Sequence, residues 1–515
     1  MTTALQGVLI FMGIYLFGMI IVGAIFSKKN DTVSDFYLGG RKLGPFVTAM
    51  SAEASDMSSW LLMGLPGVAY LCGICDAAWT AIGLAVGTYI NWLIVAKRIR
   101  IYTVTAKDSI TLPDFFSNRY RDKDTKKVLM LIAAVIIVIF FIPYTASGFS
   151  ACGKLFSTLF GVNYQLAMVV SAVVIVLYTC LGGFSAASTT DFIQSIVMSL
   201  ALLIVVMYGV HSVGGMDAVA ANASELSGYL SMTATHVAAT GESSSYNLIM
   251  IVSTLAWGLG YFGMPHILLR FMAIEDEKKL SVSRRVASIW VVISMAVAIF
   301  IGVVGLAMSK EGVIPTLEGS ASETIIVVIA NLLSQHGLLF ACCAGIILAG
   351  ILASTMSTAD SQLLAASSSV SQNILKGFFK KELSDRATMI IARSCLVGIS
   401  IIAVFLALDP NSSVFGIVSF AWAGFGATFG PVVLMALFWK RSNMYGALAG
   451  MLTGGVTVFV WKYLIRPLGG NWNIYELLPA FLLALFMIIV VSLLTPPPSK
   501  EIAEEFENVR EACRK

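Results

Sequence analysis

Charge is what this sequence has least of. Asp, Glu, Lys and Arg make up 12% of its 515 residues, about half the roughly 25% of an ordinary soluble protein, so most of the chain is unsuited to facing water. Only four histidines occur, and no two stand at metal-ligand spacing, which excludes a histidine-built metal centre. The eight cysteines are scattered. Their one C-x-x-C pair, Cys72 and Cys75, has no second pair or histidines beside it and reads as buried thiols, not a zinc site. Nucleotide-binding loops and nucleophile motifs are also missing, so nothing points to an enzyme. The first apolar run has no basic region before it and no small-residue cleavage pattern after it, and reads as a retained helix. The net charge of +4 reflects loop lysines and arginines and implies no nucleic-acid partner.

What is abundant is hydrocarbon, since 58% of the residues are hydrophobic. Thirteen runs reach the ~20 apolar residues that a bilayer core demands: 4–26, 44–72, 76–97, 126–155, 163–183, 188–212, 247–269, 281–308, 338–374, 387–408, 412–438, 444–466 and 474–495. The chain is therefore an all-α polytopic membrane protein, in contact with lipid along most of its length. With the amino terminus outside, Lys28, Lys29, Arg41 and Lys42 fall in the first inner loop. Of all the basic residues only Lys154, Lys310, Lys462 and Arg466 then lie outside, the bias that the positive-inside rule describes. The same orientation puts the charged tail after Lys500 inside. The longest inner loop, 97–127, carries Arg98, Arg100, Arg119, Arg121, Lys123, Lys126 and Lys127 around TLPDFFSNRY and is expected to be solvated at the headgroups.

Polarity inside the spans is concentrated in a few places. The second span contains SAEASDMSSWLLMGLPG, residues 51–67, with Glu53, Asp56, four serines, Pro66 and Gly67. An ionisable residue at membrane depth costs at least ~2.5 kcal/mol, so Glu53 and Asp56 mark a solute or ion pathway. The interruption points the same way, because freed backbone groups are tolerated only where they line a cavity or meet a ligand. The seventh span reads WGLGYFGMPHILLRF and is interrupted in turn by Gly258, Gly260, Gly263 and Pro265. Between them, 214–246 is an outer linker without Lys or Arg. Five spans precede the linker after the first, and five follow it. An odd number inverts the second set, which implies two inverted repeats, helices 2–6 (44–213) and 7–11 (247–438), each opening on a broken helix in a LeuT-like arrangement. Residues 1–43 hold the first helix and inner loop, and 439–515 the last two helices and tail.

The ninth span reads ASTMSTADSQLLAASSS. Ser354, Ser357 and Thr358 share one helical face, close to the membrane-depth Asp360. Hydroxyls offer oxygen ligands without fixed charge, and an unwound helix offers carbonyls, so the broken second span and this face together would make a sodium site. Tyr144, after Pro143 in span four, is open to readings as packing, interface anchor or ligand contact. Asp191, in GGFSAASTTD, reads equally as a loop residue or part of an ion exit path. The stretch ETIIVVIANLLSQHG is too short to cross and suits a re-entrant or interfacial helix, with His336 beside it in a structural role.

These stretches, together with GGRKLGPF, TLPDFF, AWAGFGATFGP and GALAGM, resemble the sodium:solute symporter family, most nearly its sodium/proline branch, along almost the whole chain. The resemblance implies thirteen transmembrane helices and sodium-driven uptake of proline across the plasma membrane by alternating access, with Na+ as the co-transported ion and no organic cofactor. It implies sodium ligands at Ala54, Met57, Ser354, Ser357 and Thr358, support from Asp56, and Asp191 on the inward release route. It places the substrate against Ser58, Trp60, Tyr144, Trp257, Tyr261 and Pro265. Aromatic walls suit an apolar ring, and oriented hydroxyls and helix-break backbone groups suit the ammonium and carboxylate of an amino acid. Glu53 and Ser59 depart from the small residues usual there. Glu53 lies one turn before Asp56, so it is expected to be neutral or hydrogen-bonded and not a second sodium ligand. The competing readings are a symporter for another small amino acid or carboxylate, and, in a different class, a membrane solute sensor.

Overall fold

Among the described residues, ten helices are long and apolar enough to cross a bilayer, or eleven with one bent pair. The computed structural model describes residues 3–27, 32–122, 127–380 and 384–514. Lys28, Lys29, Lys123 and Lys126 lie outside them. Sequence periodicity explains how the outermost helix sits. In Thr3–Ser27 the residues Val8, Met12, Tyr15 and Met19 recur at helical spacing and are buried, whereas Ile10, Ile14 and Phe17 on the other face are exposed. That face belongs to lipid.

At the centre stands Leu338–Ser368, whose residues from Ile347 onward are all buried. It packs along Thr3–Ser27, Val128–Phe160 and Tyr164–Ser212. Its alanines, serines and glycines let neighbouring backbones come close. A ten-residue π-helical stretch, Ser369–Phe378, continues it. The expected boundary between spans five and six appears as a kink inside Tyr164–Ser212, where Gly183 takes φ 66°. Val128–Phe160 runs on through Pro143. The short apolar stretch forms a 3-10 turn, Gly319–Thr324, and one helix, Ile325–Ser334, and His336 Nε2 meets the Tyr208 hydroxyl at 3.0 Å.

The fold is all-helical as expected, with one small addition in the outer linker, an antiparallel hairpin of β1 (Ala234–Val237) and β2 (Glu242–Ser245). One expectation is corrected: the described part of the 97–127 segment is not a solvated loop. Helical backbone continues to Thr105, and a further helix spans Leu112–Arg119. Arg119 is fully buried, donates to the Ala436 carbonyl at 3.1 Å and stacks among Tyr102, Tyr120 and Phe506 at 5.0–5.5 Å. Arg98 and Arg100 donate to the carbonyls of Leu437 and Ile274. A guanidinium's planar, weakly hydrated head allows this burial, which a count of charges does not reveal. Phe506 belongs to the amphipathic helix Lys500–Arg514, docked by buried Ile502, Phe506 and Val509.

Candidate ion and substrate site

Pro45 starts the first broken span after an extended Gly44, a placement its fixed φ favours. The helix Pro45–Asp56 then stops at Met57, whose ψ is 67°. Helical structure resumes as a π turn, Trp60–Gly64, followed by Leu65–Cys72. The interruption takes carbonyls out of the helical ladder, and side chains from elsewhere meet them. Ser357 Oγ donates to the Ala54 carbonyl at 2.7 Å, and the Trp60 indole donates to the Asp56 carbonyl at 3.0 Å. Ser357 and Thr358 hydroxyls also reach the Ser354 carbonyl, at 3.2 and 3.1 Å. Four of the predicted ion ligands, Ala54, Ser354, Ser357 and Thr358, thus form one cluster of uncharged oxygens. Met57 sits at the break itself, fully buried.

The second broken span bends by 47° between Leu248–Gly263 and Pro265–Ala273. Its middle, Ala256–Gly263, is a 3-10 helix. Gly258 is needed for close approach: a Cβ there would lie 2.2 Å from the Gly83 carbonyl, and one on Gly87 would lie 2.3 Å from that of Gly258. Narrowed in this way, the span turns aromatic rings toward the first break. The rings of Trp60 and Trp257 are 6.4 Å apart, and the Tyr261 hydroxyl donates to Asp56 Oδ2 at 2.5 Å. Ser58 lies in the break, its Oγ 3.4 Å from the Trp60 amide. Pro265 opens the following helix, and Tyr144 joins the group through His266, at 6.4 Å between rings. The Tyr144 hydroxyl and the His266 ring are buried at this junction.

Asp191 is fully buried, which excludes its reading as a loop residue. Arg270 Nη2 lies 3.1 Å from its Oδ2, and Ser51 Oγ donates to the same oxygen at 2.7 Å. Arg270 further donates to Ser51, to the His266 carbonyl and to Ser361. Ser361 in turn donates to Asp360 Oδ1 and to the Ser357 carbonyl. One guanidinium therefore connects both broken spans to Asp191, and Ser361 extends the chain to the oxygen cluster. Glu53 accepts from the Trp92 indole at 2.9 Å, as expected of a hydrogen-bonded carboxyl. Among the described residues, its Oε2 and Asp56 Oδ1 meet no hydrogen-bond partner.

A cavity of about 280 Å³ lies above Trp257 and is lined by Asp76, Tyr246, Phe415, Arg466 and Tyr475 among others. Sequence reasoning assigned none of these five a role, nor Arg270, Ser51, Ser361 or Trp422, which donates to the Trp257 carbonyl at 2.8 Å. Arg270 stood within a quoted motif, but one residue past the expected end of the seventh span it reads as an ordinary inner-loop cation.

An apolar helical bundle with two interrupted spans facing one another across buried oxygens and aromatic rings defines a membrane solute transporter. Comparison with known proteins narrows the class. The model of the sodium:solute symporter family matches residues 36–454. The chain is 42% identical over 507 residues to the sodium/proline symporter of Haemophilus influenzae, covering 97% of each chain. It is 40% identical over 493 residues to the osmoregulated proline transporter of Bacillus subtilis, covering 96% of each, and 40% identical to the sodium/proline symporter of Escherichia coli, covering 96% of this chain and 94% of that one. A substrate-bound outward-open structure of a Na+-coupled sialic acid symporter shares the fold, with a TM-score of 0.76 at 18% identity, over 96% of this chain and 99% of that one. The chain belongs to the sodium:solute symporter family. It is a multi-pass protein of the cell membrane.

Proposed function

We propose that the protein takes up L-proline with sodium by alternating access. The observation that carries this reading is the contact of Ser357 Oγ with the Ala54 carbonyl, which joins a broken helix to a hydroxyl face. Sodium sits among Ala54, Met57, Ser354, Ser357 and Thr358, with Asp56 supporting from the first break and Asp191 facing the inner release route. Proline's ring rests between Trp60 and Trp257, while Ser58, Tyr144, Tyr261 and Pro265 bound the polar end. Thirteen crossings follow if the bent pair and two of the three shorter apolar stretches, Trp60–Cys72 and Tyr164–Leu177, cross while Gly319–Ser334 does not. The amino terminus lies outside and the tail inside. Residues 44–213 and 247–438 form the inverted repeats, 1–43 precedes them, 214–246 links them, and 439–515 follows.

Sodium drives uptake only if it binds the two access states with different affinity. Its ligands come from two different elements, so their relative movement changes the coordination. One charge crossing 100 mV is worth ~2.3 kcal/mol, and a tenfold ion gradient adds ~1.4 kcal/mol. Together these sustain a roughly 500-fold solute gradient at one ion per solute.

Purified protein in proteoliposomes should accumulate labelled L-proline under an inward sodium gradient. Equal accumulation with choline replacing sodium on both sides, at clamped pH, overturns the reading. A second reading, a symporter for another small amino acid, draws on Asp76 and Arg466, whose opposite charges line the outer cavity and suit any zwitterion. Competition by unlabelled amino acids against proline separates the two.

A further inference from the structure

Behind the oxygen cluster, on the other side of the same helix, is an apolar groove of about 460 Å³. Its floor includes Leu352 and Met356, and its walls come from Leu9 and Leu16 of the first helix, Phe156 of Val128–Phe160, and Val170 of Tyr164–Ser212. Almost nothing polar lines it. Leu352 and Met356, four residues apart, share one helical face, and at ~100° per residue Ser354, Ser357, Thr358 and Ser361 lie on the opposite one.

The groove opens to the outside of the bundle. Leu166 and Val170 at its rim are 62% and 54% exposed, and they belong to an apolar helix of a membrane protein, so the medium at the rim is hydrocarbon. Of its lining side chains only Ser171 and Cys152 carry polar atoms, and the Ser171 hydroxyl already donates to the Ala167 carbonyl, so the groove offers water too few partners to hold it. From Leu166, just after the turn at 161–163, to buried Ile175 the groove descends ~14 Å by helical rise. Half of a ~30 Å hydrocarbon core is ~15 Å, so the depth matches one leaflet. Shape, depth and continuity with the lipid-facing surface fit a single chain, not a whole lipid or a soluble ligand.

We propose that this groove binds one acyl chain of a bilayer glycerophospholipid, and that the chain's packing on Leu352 and Met356 supports the hydroxyl face behind them. Bilayer composition then modulates the ion site from its rear. The binding claim stands apart from the transport reading, whereas the modulation rests on it.

The test uses the full chain in vesicles of phosphatidylcholine and phosphatidylglycerol doped with phosphatidylcholine carrying a diazirine at the acyl terminus. Photolysis and peptide mapping are expected to concentrate adducts on the peptides containing Met356 and Ile175. Ala167→Phe, at a buried position lining the groove, should lower those adducts about tenfold. Val170→Trp, at the exposed rim, blocks entry without loading the core and serves if the first variant fails to fold. Adducts spread evenly over all lipid-facing spans, adducts unchanged by both variants, or cross-links to a second copy in their place overturn the site. For the modulation, the sodium concentration giving half-maximal proline uptake should shift with acyl-chain length in the natural protein and not in Val170→Trp. Equal shifts in both would leave the chain bound and refute its influence on the ion site. Loss of sodium dependence altogether, with the adducts intact, would instead refute the transport reading.

Discussion

The two broken spans are interrupted by different chemistry and do different things. In the first, the residues at the break carry hydroxyls and carboxyls, and the carbonyls that leave the ladder find Ser357 and an indole. In the second, glycines dominate, and the benefit is room: Gly258 lets the span lie against Gly83 and Gly87, and a 3-10 twist turns Trp257 and Tyr261 toward the first break. One interruption supplies oxygen, the other supplies position. The residue types at a break therefore say which of the two it serves.

The comparison can be broken most severely where the spans are tied together. Arg270→Ala leaves Asp191 buried without its cation and should cost roughly 3–5 kcal/mol of stability, seen as loss of folded protein in detergent. Adding Asp191→Asn should restore part of it, which separates charge from packing. Gly258→Ala attacks the close approach and should cost about 1–3 kcal/mol, read as a lowered thermal midpoint, because backbone atoms of the neighbouring helix cannot move aside.

Smaller effects sharpen the division of labour. Ser357→Ala removes an oxygen from the cluster. At the ~1.5–3 kcal/mol of a hydrogen bond to a charged group, it should raise the sodium concentration for half-maximal uptake about 10–100-fold, with a lesser effect on proline affinity at saturating sodium. Tyr261→Phe loses its hydrogen bond to Asp56 and should weaken proline binding by about 1 kcal/mol, or fivefold, measured by labelled-proline competition. Glu53→Gln keeps an acceptor for Trp92 and should leave sodium activation within about twofold. A large shift there would make Glu53 part of the ion site.

Much of this was legible in the linear chain. Apolar runs announced the spans, and Gly258 and Pro265 announced the second break, because hydropathy and backbone constraints are local. Pro66 and Gly67, read as the first interruption, instead lie in continuous helical backbone past the true break at Met57, since proline is tolerated in a first helical turn. Ser354, Ser357 and Thr358 could be placed on one face by spacing alone. Arg270 could not be interpreted, since at a span's end it looks like any inner-loop cation, and only its contacts with Ser51, Asp191 and Ser361 show it to be the link between elements. The β1–β2 hairpin was hidden for a different reason. Glu242, Ser243, Ser244 and Ser245 are all exposed, so no alternation of apolar residues marks the strand. Arg119 was misjudged because stacking against Tyr102 and Phe506 is a property of distant segments.

The sequence by itself determined that the protein lives in a bilayer, which runs are apolar enough to cross it, and which short stretches carry polarity into the membrane, for these follow from the solvation of each segment taken alone. Only the tertiary structure decided that Ala54 meets Ser357, that one guanidinium joins Asp191 to Ser51 and Ser361, and that Trp60 faces Trp257. Those pairings join residues far apart along the chain, and the low dielectric around them makes each an all-or-none matter of geometry that no local pattern encodes.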